Sequence, residues 1–392
     1  MKKIRFFYGK KKIFLILLLW LLLLDTAYAM NTDKKEPLIR VLIMDSEYQS
    51  YYHPSVILSW QGQEYVFGGE TGGEEELSCT FEGGTEGIRI SSVKREQGAP
   101  VYRGTIKITK KPEGFLIVNT LPLETYLESV VPSEMPSSYP LEALKAQAVC
   151  ARTYAWKQIK EKKLEAYGAD VDDSVNYQVY NNIGREANAT QAVKETKGRI
   201  LSQRGEPIEA YYFSTSAGMT STDEIWGAKS AAPYLKSVDC SFDEEEPWRS
   251  WETEISRNMI EQRAQNIEGC KGRLTGLEVT GKSESGAVTR LRVHTKGGDG
   301  EVANEYEIRS FLAPDQEIFA GKEKEKKNGG SLLPSAYFTI EETEKGFLIR
   351  GGGYGHGVGM SQTAAGKMAE EGYTWEEILM YFFREIEISQ TW

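Results

Sequence analysis

From Ile39 the chain runs in short stretches rich in β-branched and aromatic residues: "IRVLIM", "SVILSW", "EYVFGG", "GIRISSV", "VYRGTIKITKK" and "GFLIVNT". Gly, Asn and charged residues separate them, the pattern of strands joined by turns, and Glu74, Glu75 and Glu76 fall on one such turn. At Leu121 the period changes. Leu123, Leu127, Val130 and Val131 of "LPLETYLESVV" recur at helical spacing. The three prolines of "PSEMPSSYP" then predict a break into a rigid loop. "LEALKAQAVCARTYAWKQIKEKK" resumes the helix, with Pro140 at a position where a first helical residue tolerates proline. Ala143, Ala146, Ala148, Ala151 and Ala155 let this second helix pack close to its neighbours. Residues 121–160 therefore read as helix, rigid loop, buried helix.

Further along, "RILSQRGEPIEAYYFSTSAG" predicts two strands around a turn, and the acidic "DEEEPW" (243–248) a solvated loop. Residues 275–311 read as β-rich and "GKEKEKKNGG" (321–330) as a polar connector. A strand "GFLIRG" leads into a glycine run, an amphipathic helix from Ser361 to about Glu371, and a last helical stretch "TWEEILMYFF". No internal repeat is present. The expected class is α+β, a β-rich portion beside a helical, cleft-forming one. The expected division is a β-rich part over 31–120 and a core over 121–392, with its own β-rich segment at about 275–311.

Composition narrows the function. The chain has 392 residues, 40% apolar and 27% charged, enough to bury a substantial core. Forty-seven basic residues against 57 acidic ones give a net charge of −10, which suits phosphate-backbone binding poorly, so nucleic acid is not an expected partner. Lys2, Lys3, Arg5, Lys10, Lys11 and Lys12 precede an apolar run, Ile13–Leu24, and an A-x-A ending at Ala29. Residues 1–30 thus predict a signal peptide or, left uncleaved, an N-terminal membrane anchor. Either way the body of the protein is expected outside the cytoplasmic membrane. Cys79, Cys150, Cys240 and Cys270 form no CxxC pair. Cys150 reads as a small core residue, and a Cys240–Cys270 bridge is open in an oxidising compartment.

Two stretches carry candidate chemistry. "GGGYGHGVGMSQ" (351–362) sets six glycines around His356. GxGxxG fails there in every register, His53 and His294 are distant in sequence, and no HExxH or GxSxG motif exists. "GLEVTGKS" (276–283) does match a phosphate-loop pattern, but "LEVT" is itself strand-like and "GKSESG" reads as a turn before another strand. What a bare turn leaves unexplained is the group Tyr354, His356, Ser361 and Gln362, aromatic and hydrogen-bonding side chains beside open backbone. Such a surface suits a polyhydroxylated ligand. The second stretch is "VVPSEMPSSYP", where Glu134 stands between Pro132 and Pro136 with Val131 and Met135 close by. Apolar neighbours that desolvate a carboxyl raise its pKa, as a general acid near neutrality requires. From these residues alone, a capping or solvated glutamate is the favoured reading. Lys145 and Arg152, seven residues apart, share one face of the following helix and are candidates for substrate contact.

Taken together, "NTLPLETYLESVVPSEMPSSYPLEALKAQAVCARTYA", "YYFSTSAGMTSTDEIWG" and "GGGYGHGVGMSQTAAGKMAEEGYTWEEILMYFF" resemble the stage II sporulation protein D family from about Ile39 to near the C-terminus. The resemblance implies an extracytoplasmic lytic transglycosylase of peptidoglycan, acting at the engulfing membrane with an amidase that first strips stem peptides. A related branch enhances an amidase instead, leaving a non-catalytic glycan-binding role as the alternative. It implies Glu134 as the catalytic acid, reversing the reading from its neighbours alone. Lys145 and Arg152 match positions implicated in activity, Tyr354, His356 and Gln362 match the glycine-rich block, and Ser214 and Ser216 are further candidate substrate contacts. Some members carry zinc ligands around the loop that here reads Phe213, Ser214, Thr215 and Ser216, so no metal and no other cofactor is expected. Thr363 stands where an aromatic often follows. Implied partners are glycan strands, a cell-wall amidase and membrane proteins, with a homodimer open. A lytic transglycosylase manages with one carboxylate. Glu124 and Glu128 are nearest in sequence as a second, Glu128 reading more simply as a solvated helix residue.

Overall fold

The computed structural model describes residues 35–68, 78–84, 86–95, 98–182, 184 and 186–392. The predicted leader and the Glu74–Glu76 turn lie outside them. Among the described residues no helix is long and apolar enough to cross a membrane.

The N-terminal alternation folds as expected. In Thr105–Lys111 the buried Ile106 and Ile108 flank exposed Lys107, and the strand pairs antiparallel with Gly114–Pro122, Ile108 opposite Ile117. Gly114–Pro122 pairs in turn with Leu38–Leu42, whose other edge takes the two-residue strand Val171–Asp172 in parallel. Ser78–Glu82 completes the sheet at its far edge. Helix α1 (Leu123–Glu134) follows Gly114–Pro122 directly, and its Tyr126, Leu127 and Val130 share one cluster with Ile39, Val41 and Ile117. Helix α2 (Leu141–Glu161) crosses behind it with all five of those alanines buried. Helix α3 (Ala187–Glu195) packs on both.

A second hydrophobic cluster forms around Trp251, Ile255, Leu291 and Phe347. It joins helix α4 (Arg257–Ala264), helix α5 (Glu305–Phe311), the three-stranded sheet Leu274–Lys282, Val288–Thr295, Gly298–Ala303, and a five-stranded sheet centred on Trp251–Ser256. The chain then returns to the first cluster through α6 (Gln362–Glu370) and α7 (Trp375–Phe382), both against α2. This is an α+β protein.

Several expectations need correction. Pro132 does not end α1; it lies within the last turns, where its missing N–H removes the bond to the Glu128 carbonyl without stopping the helix, and the Ser133 hydroxyl donates to the Ser129 carbonyl. The helix stops at Glu134 because Met135 precedes Pro136 and takes extended angles (φ −137, ψ 129). Pro140 is the N-cap of α2 rather than its first residue. Residues 305–311 of the β-rich segment are helical, started by Asn304, whose side chain accepts the Glu307 N–H at 3.0 Å. Part of the polar connector, Glu325–Lys327, pairs with Ile318–Ala320. The phosphate-loop match runs as a strand through Lys282 into a turn and a second strand, with no helix after it. Cys240 belongs to the first cluster and Cys270 to the second, both as free thiols, so the bridge left open above is not formed.

Candidate active site

The end of α1 delivers Glu134 to a point where three distant segments meet. Its Oε1 accepts the Val179 N–H at 2.7 Å, and the Tyr212 hydroxyl donates to the same carboxyl. Tyr212 is fixed in that direction because its oxygen accepts from Gln178 Nε2 at 3.2 Å, leaving its proton for Glu134. Gln178 also donates to the Ala151 carbonyl of α2 and accepts from Tyr126 of α1 at 3.3 Å. Desolvation dominates over these two hydrogen bonds and lifts the Glu134 carboxyl to about 7. Its place at the negative end of the α1 dipole acts in the same direction. Burial drives the Tyr212 phenol far upward, so it stays a donor. Glu134 itself keeps part of its surface open to solvent.

The N-terminal sheet sets this geometry from a distance. Asp172 accepts from the Tyr51 hydroxyl at 2.9 Å, and buried Asp173 accepts the Met44 N–H at 2.9 Å and two Arg95 donors at 3.1 and 2.5 Å. Six residues later the same segment presents the Val179 N–H. On the opposite side, Tyr212–Phe213 lies parallel to Met360–Ser361, and Gln362 Nε2 donates to the Glu134 backbone carbonyl at 3.0 Å and to Gln147 at 3.3 Å.

The glycine run is shaped by this pairing. Gly359 has φ +82 and lies so close to the Tyr211 carbonyl that no Cβ fits, so any other residue would part the two segments. Within the run, the His356 Nδ1 accepts the Val358 N–H at 3.1 Å, and the ring also hydrogen-bonds the Tyr212 backbone. It packs against Tyr211, Phe213 and Trp226, and burial lowers its pKa to about 4, so the imidazole is neutral. His356 and Gln362, expected at the substrate, hydrogen-bond the backbone of Tyr212 and of Glu134 respectively. Tyr354 is the open member: 43% exposed, its ring 4.6 Å from that of Trp248.

Asp243 locks the segments together. The start of the supposedly solvated "DEEEPW" loop is fully buried, and its carboxylate accepts from Ser216 N–H (2.7 Å), Ser361 (2.9 Å), Thr363 (2.7 Å) and the Cys240 thiol (3.4 Å). Four donors pointing into one enclosure explain why an acid belongs there. Thr363 is thereby occupied in the core, and so is Ser216, 1% exposed. Ser214 is half-buried, and its carbonyl accepts the Thr363 N–H at 3.0 Å. The substrate contact expected of Ser216 does not fit this placement.

Lys145 and Arg152 both reach α3 rather than Glu134. Lys145 pairs with Glu142 and Glu195, each at 2.7 Å. Arg152 is fully buried, forked onto Glu124 at 2.9 and 2.7 Å, and donates to the carbonyls of Val193 and Arg199. A guanidinium with no open surface cannot touch a substrate, so Arg152 is corrected to a core residue. The second carboxylates are committed too: Glu124 to Arg152, and Glu128, far from solvated, to Arg103 at 2.8 Å. Among the described residues no three His, Cys, Asp or Glu side chains group as metal ligands.

Residues that the sequence reading missed are Tyr212, Gln178, Val179 and Asp243. Tyr212 lay in a stretch quoted for the family resemblance and Asp243 at the start of the acidic run read as a solvated loop; a backbone N–H leaves no sequence signal. The pair gives a signed expectation. Tyr212→Phe removes a donor that favours the charged carboxylate, so the Glu134 pKa rises further. The alkaline limb of any Glu134-dependent activity, near pH 7 in the parent, moves to higher pH. A pH–rate profile checks it, and a limb moving down would contradict it.

Residues 111–202 match the family described as stage II sporulation protein, and residues 229–359 match a domain family of unknown function. Stage II sporulation protein D of Bacillus subtilis (strain 168) is 34% identical over 324 residues, covering 78% of this chain and 82% of that protein. An uncharacterized protein of Brachyspira hyodysenteriae is 31% identical over 291 residues, covering 73% and 72%. The amidase enhancer of Bacillus subtilis is 27% identical over 381 residues, 79% of this chain but 51% of that protein. With a relative this similar along most of both chains, the protein belongs to the stage II sporulation protein D family.

Proposed function

We propose that this protein is a peptidoglycan lytic transglycosylase that cuts peptide-stripped glycan strands between N-acetylmuramic acid and N-acetylglucosamine. The observation that carries the reading is a single desolvated carboxyl, Glu134, poised near neutrality and aimed by Val179 and Tyr212. Protonated Glu134 gives its proton to the bridging oxygen as the C1–O bond breaks. The resulting carboxylate takes the proton of the muramyl 6-hydroxyl as that oxygen bonds C1. The products are a 1,6-anhydromuramyl end and a free N-acetylglucosamine 4-hydroxyl; no water is consumed, and Glu134 ends protonated as it began. One carboxyl thus serves as acid and then base, where ordinary glycosidases use two. That both sequence-adjacent carboxylates are already bound to arginines supports a one-carboxylate scheme. Exposed Tyr354 beside Trp248 offers an aromatic platform for a sugar ring.

The family ties the chain to sporulation, and the leader pattern of residues 1–30 suits work outside the cytoplasmic membrane, during engulfment, beside a cell-wall amidase. The likeness to an amidase enhancer favours a second reading, a glycan-binding partner that cleaves nothing. Mass spectrometry of peptide-stripped strands after incubation with the protein separates the two. Anhydro-muramyl ends are expected. Hydrated reducing ends contradict the mechanism, and intact strands that remain bound shift the assignment to the enhancer.

A further inference from the structure

Beyond Glu134 the chain holds a cavity of about 560 Å³, within the range that accommodates small ligands. Its walls come from two parts of the fold: Thr222 to Gly227, next to the site segments, and the strands and turn around Ser283 to Asn304. Trp226 forms part of one wall. Its indole is held by a hydrogen bond to Glu305 at 3.3 Å, and it also packs on His356, ring centroids 5.2 Å apart. The other wall carries Ser283 and Ser285, 2.9 Å apart, and behind them Ser285 meets the buried Ser221 at 2.6 Å, which in turn meets Tyr337 at 2.6 Å. Ser237 and Thr289 add two more hydroxyls. The charged lining is Glu224 and Glu284 against Arg290, no surplus of positive charge. That balance disfavours phosphates and other anions. A lining indole together with the hydroxyls of Thr222, Ser237, Ser283, Ser285 and Thr289 fits a neutral ring that is apolar on one side and polar at its edge, which is a saccharide.

We propose that this cavity is a second saccharide site, taking N-acetylated hexosamine units of the same glycan strand whose cleavage is assigned to Glu134. It rests on that assignment for the identity of the strand. The connection runs through named contacts: Trp226 against His356, His356 on the Tyr212 backbone, and the Tyr212 hydroxyl on Glu134. Occupancy of the cavity therefore anchors a strand from the side of the site that His356 braces.

The probe is the N-acetylglucosamine tetramer, titrated by calorimetry into full-length Glu134→Gln protein so that nothing is cleaved. Thr289→Trp, added to that background, fills the cavity from a half-buried strand position. The expected result is a roughly tenfold loss of tetramer affinity. An exposed wall residue changed by Glu224→Ala gives a smaller loss without crowding the fold. In the unsubstituted protein, the Trp226 indole N–H resonance shifts on adding tetramer, a readout that needs no variant at the cavity. Unchanged affinity in both variants, or an unmoved Trp226 resonance, overturns the proposal. If the parent protein cuts no strand while the affinity losses hold, the saccharide site stands and only the catalytic assignment falls.

Discussion

Glu134→Gln lowers glycan cleavage by roughly 10²–10⁴-fold, the usual contribution of a positioned acid–base group, while making the folded protein more stable above neutral pH. The two effects have one cause. The enclosure that holds the proton on Glu134 up to about pH 7 is an unfavourable place for a carboxylate, which in the unfolded chain ionises near 4.5. The folded state therefore binds more protons between those values, and stability falls as pH rises from 4.5 to 7 and stays reduced above it. Glutamine carries no such penalty. Its stabilising effect is absent at pH 4 and complete at pH 8, on the order of 2 kcal/mol after allowing for the open side of the site. Denaturant titrations of both proteins at the two pH values measure this beside the turnover assay. Lost activity accompanied by lost stability at pH 8 would instead mean a damaged fold.

Arg152→Ala has the largest expected effect on stability, a loss of about 3–5 kcal/mol, because removing one member of a buried ion pair strands the other. Among the described residues Glu124 would keep the Gly198 N–H at 3.0 Å and the Trp392 indole at 3.2 Å as donors, and the carbonyls of Val193 and Arg199 would each lose a donor. Because Glu124 also holds Gly198 and Trp392, the damage reaches the C-terminal strand Glu387–Gln390 and its pairing with Arg199–Gln203. Urea unfolding provides the measurement. A substrate-contact role predicts the reverse pattern, unchanged unfolding with weaker glycan binding. Arg152→Lys does not restore stability, since an ammonium cannot reproduce the fork onto Glu124.

How far the sequence could be read follows from the range of each interaction. Strands such as Thr105–Lys111 were visible because alternation records burial locally, and α2 because its alanines repeat at helical spacing. Glu134 was visible as a glutamate among prolines and apolar residues, yet the prolines were credited alike with the break: Pro136 acts on Met135, while Pro132 is absorbed into the helix. Arg152 misled because an arginine on an alanine-rich helix looks like a free cation until its partner appears 28 residues earlier in the chain. Asp243 was hidden inside an acidic run whose later members face solvent, and its four donors come from residues 216, 240, 361 and 363. Val179 could not be found at all, since its contribution is a peptide N–H placed by Asp172 and Asp173. Short-range patterning gave the elements; the site is made of pairings between segments far apart in sequence.

The central claim is that the fold keeps one carboxyl, Glu134, protonated into the neutral range so that it can act first as acid and then as base. The most direct measurement is a pH titration by NMR of protein labelled with ¹³C at the glutamate side-chain carboxyls, with Glu134→Gln identifying the resonance. The account predicts that the signal absent from the variant titrates at about 7 in the parent protein. A midpoint near 4.5, the ordinary value for a glutamate, would contradict it.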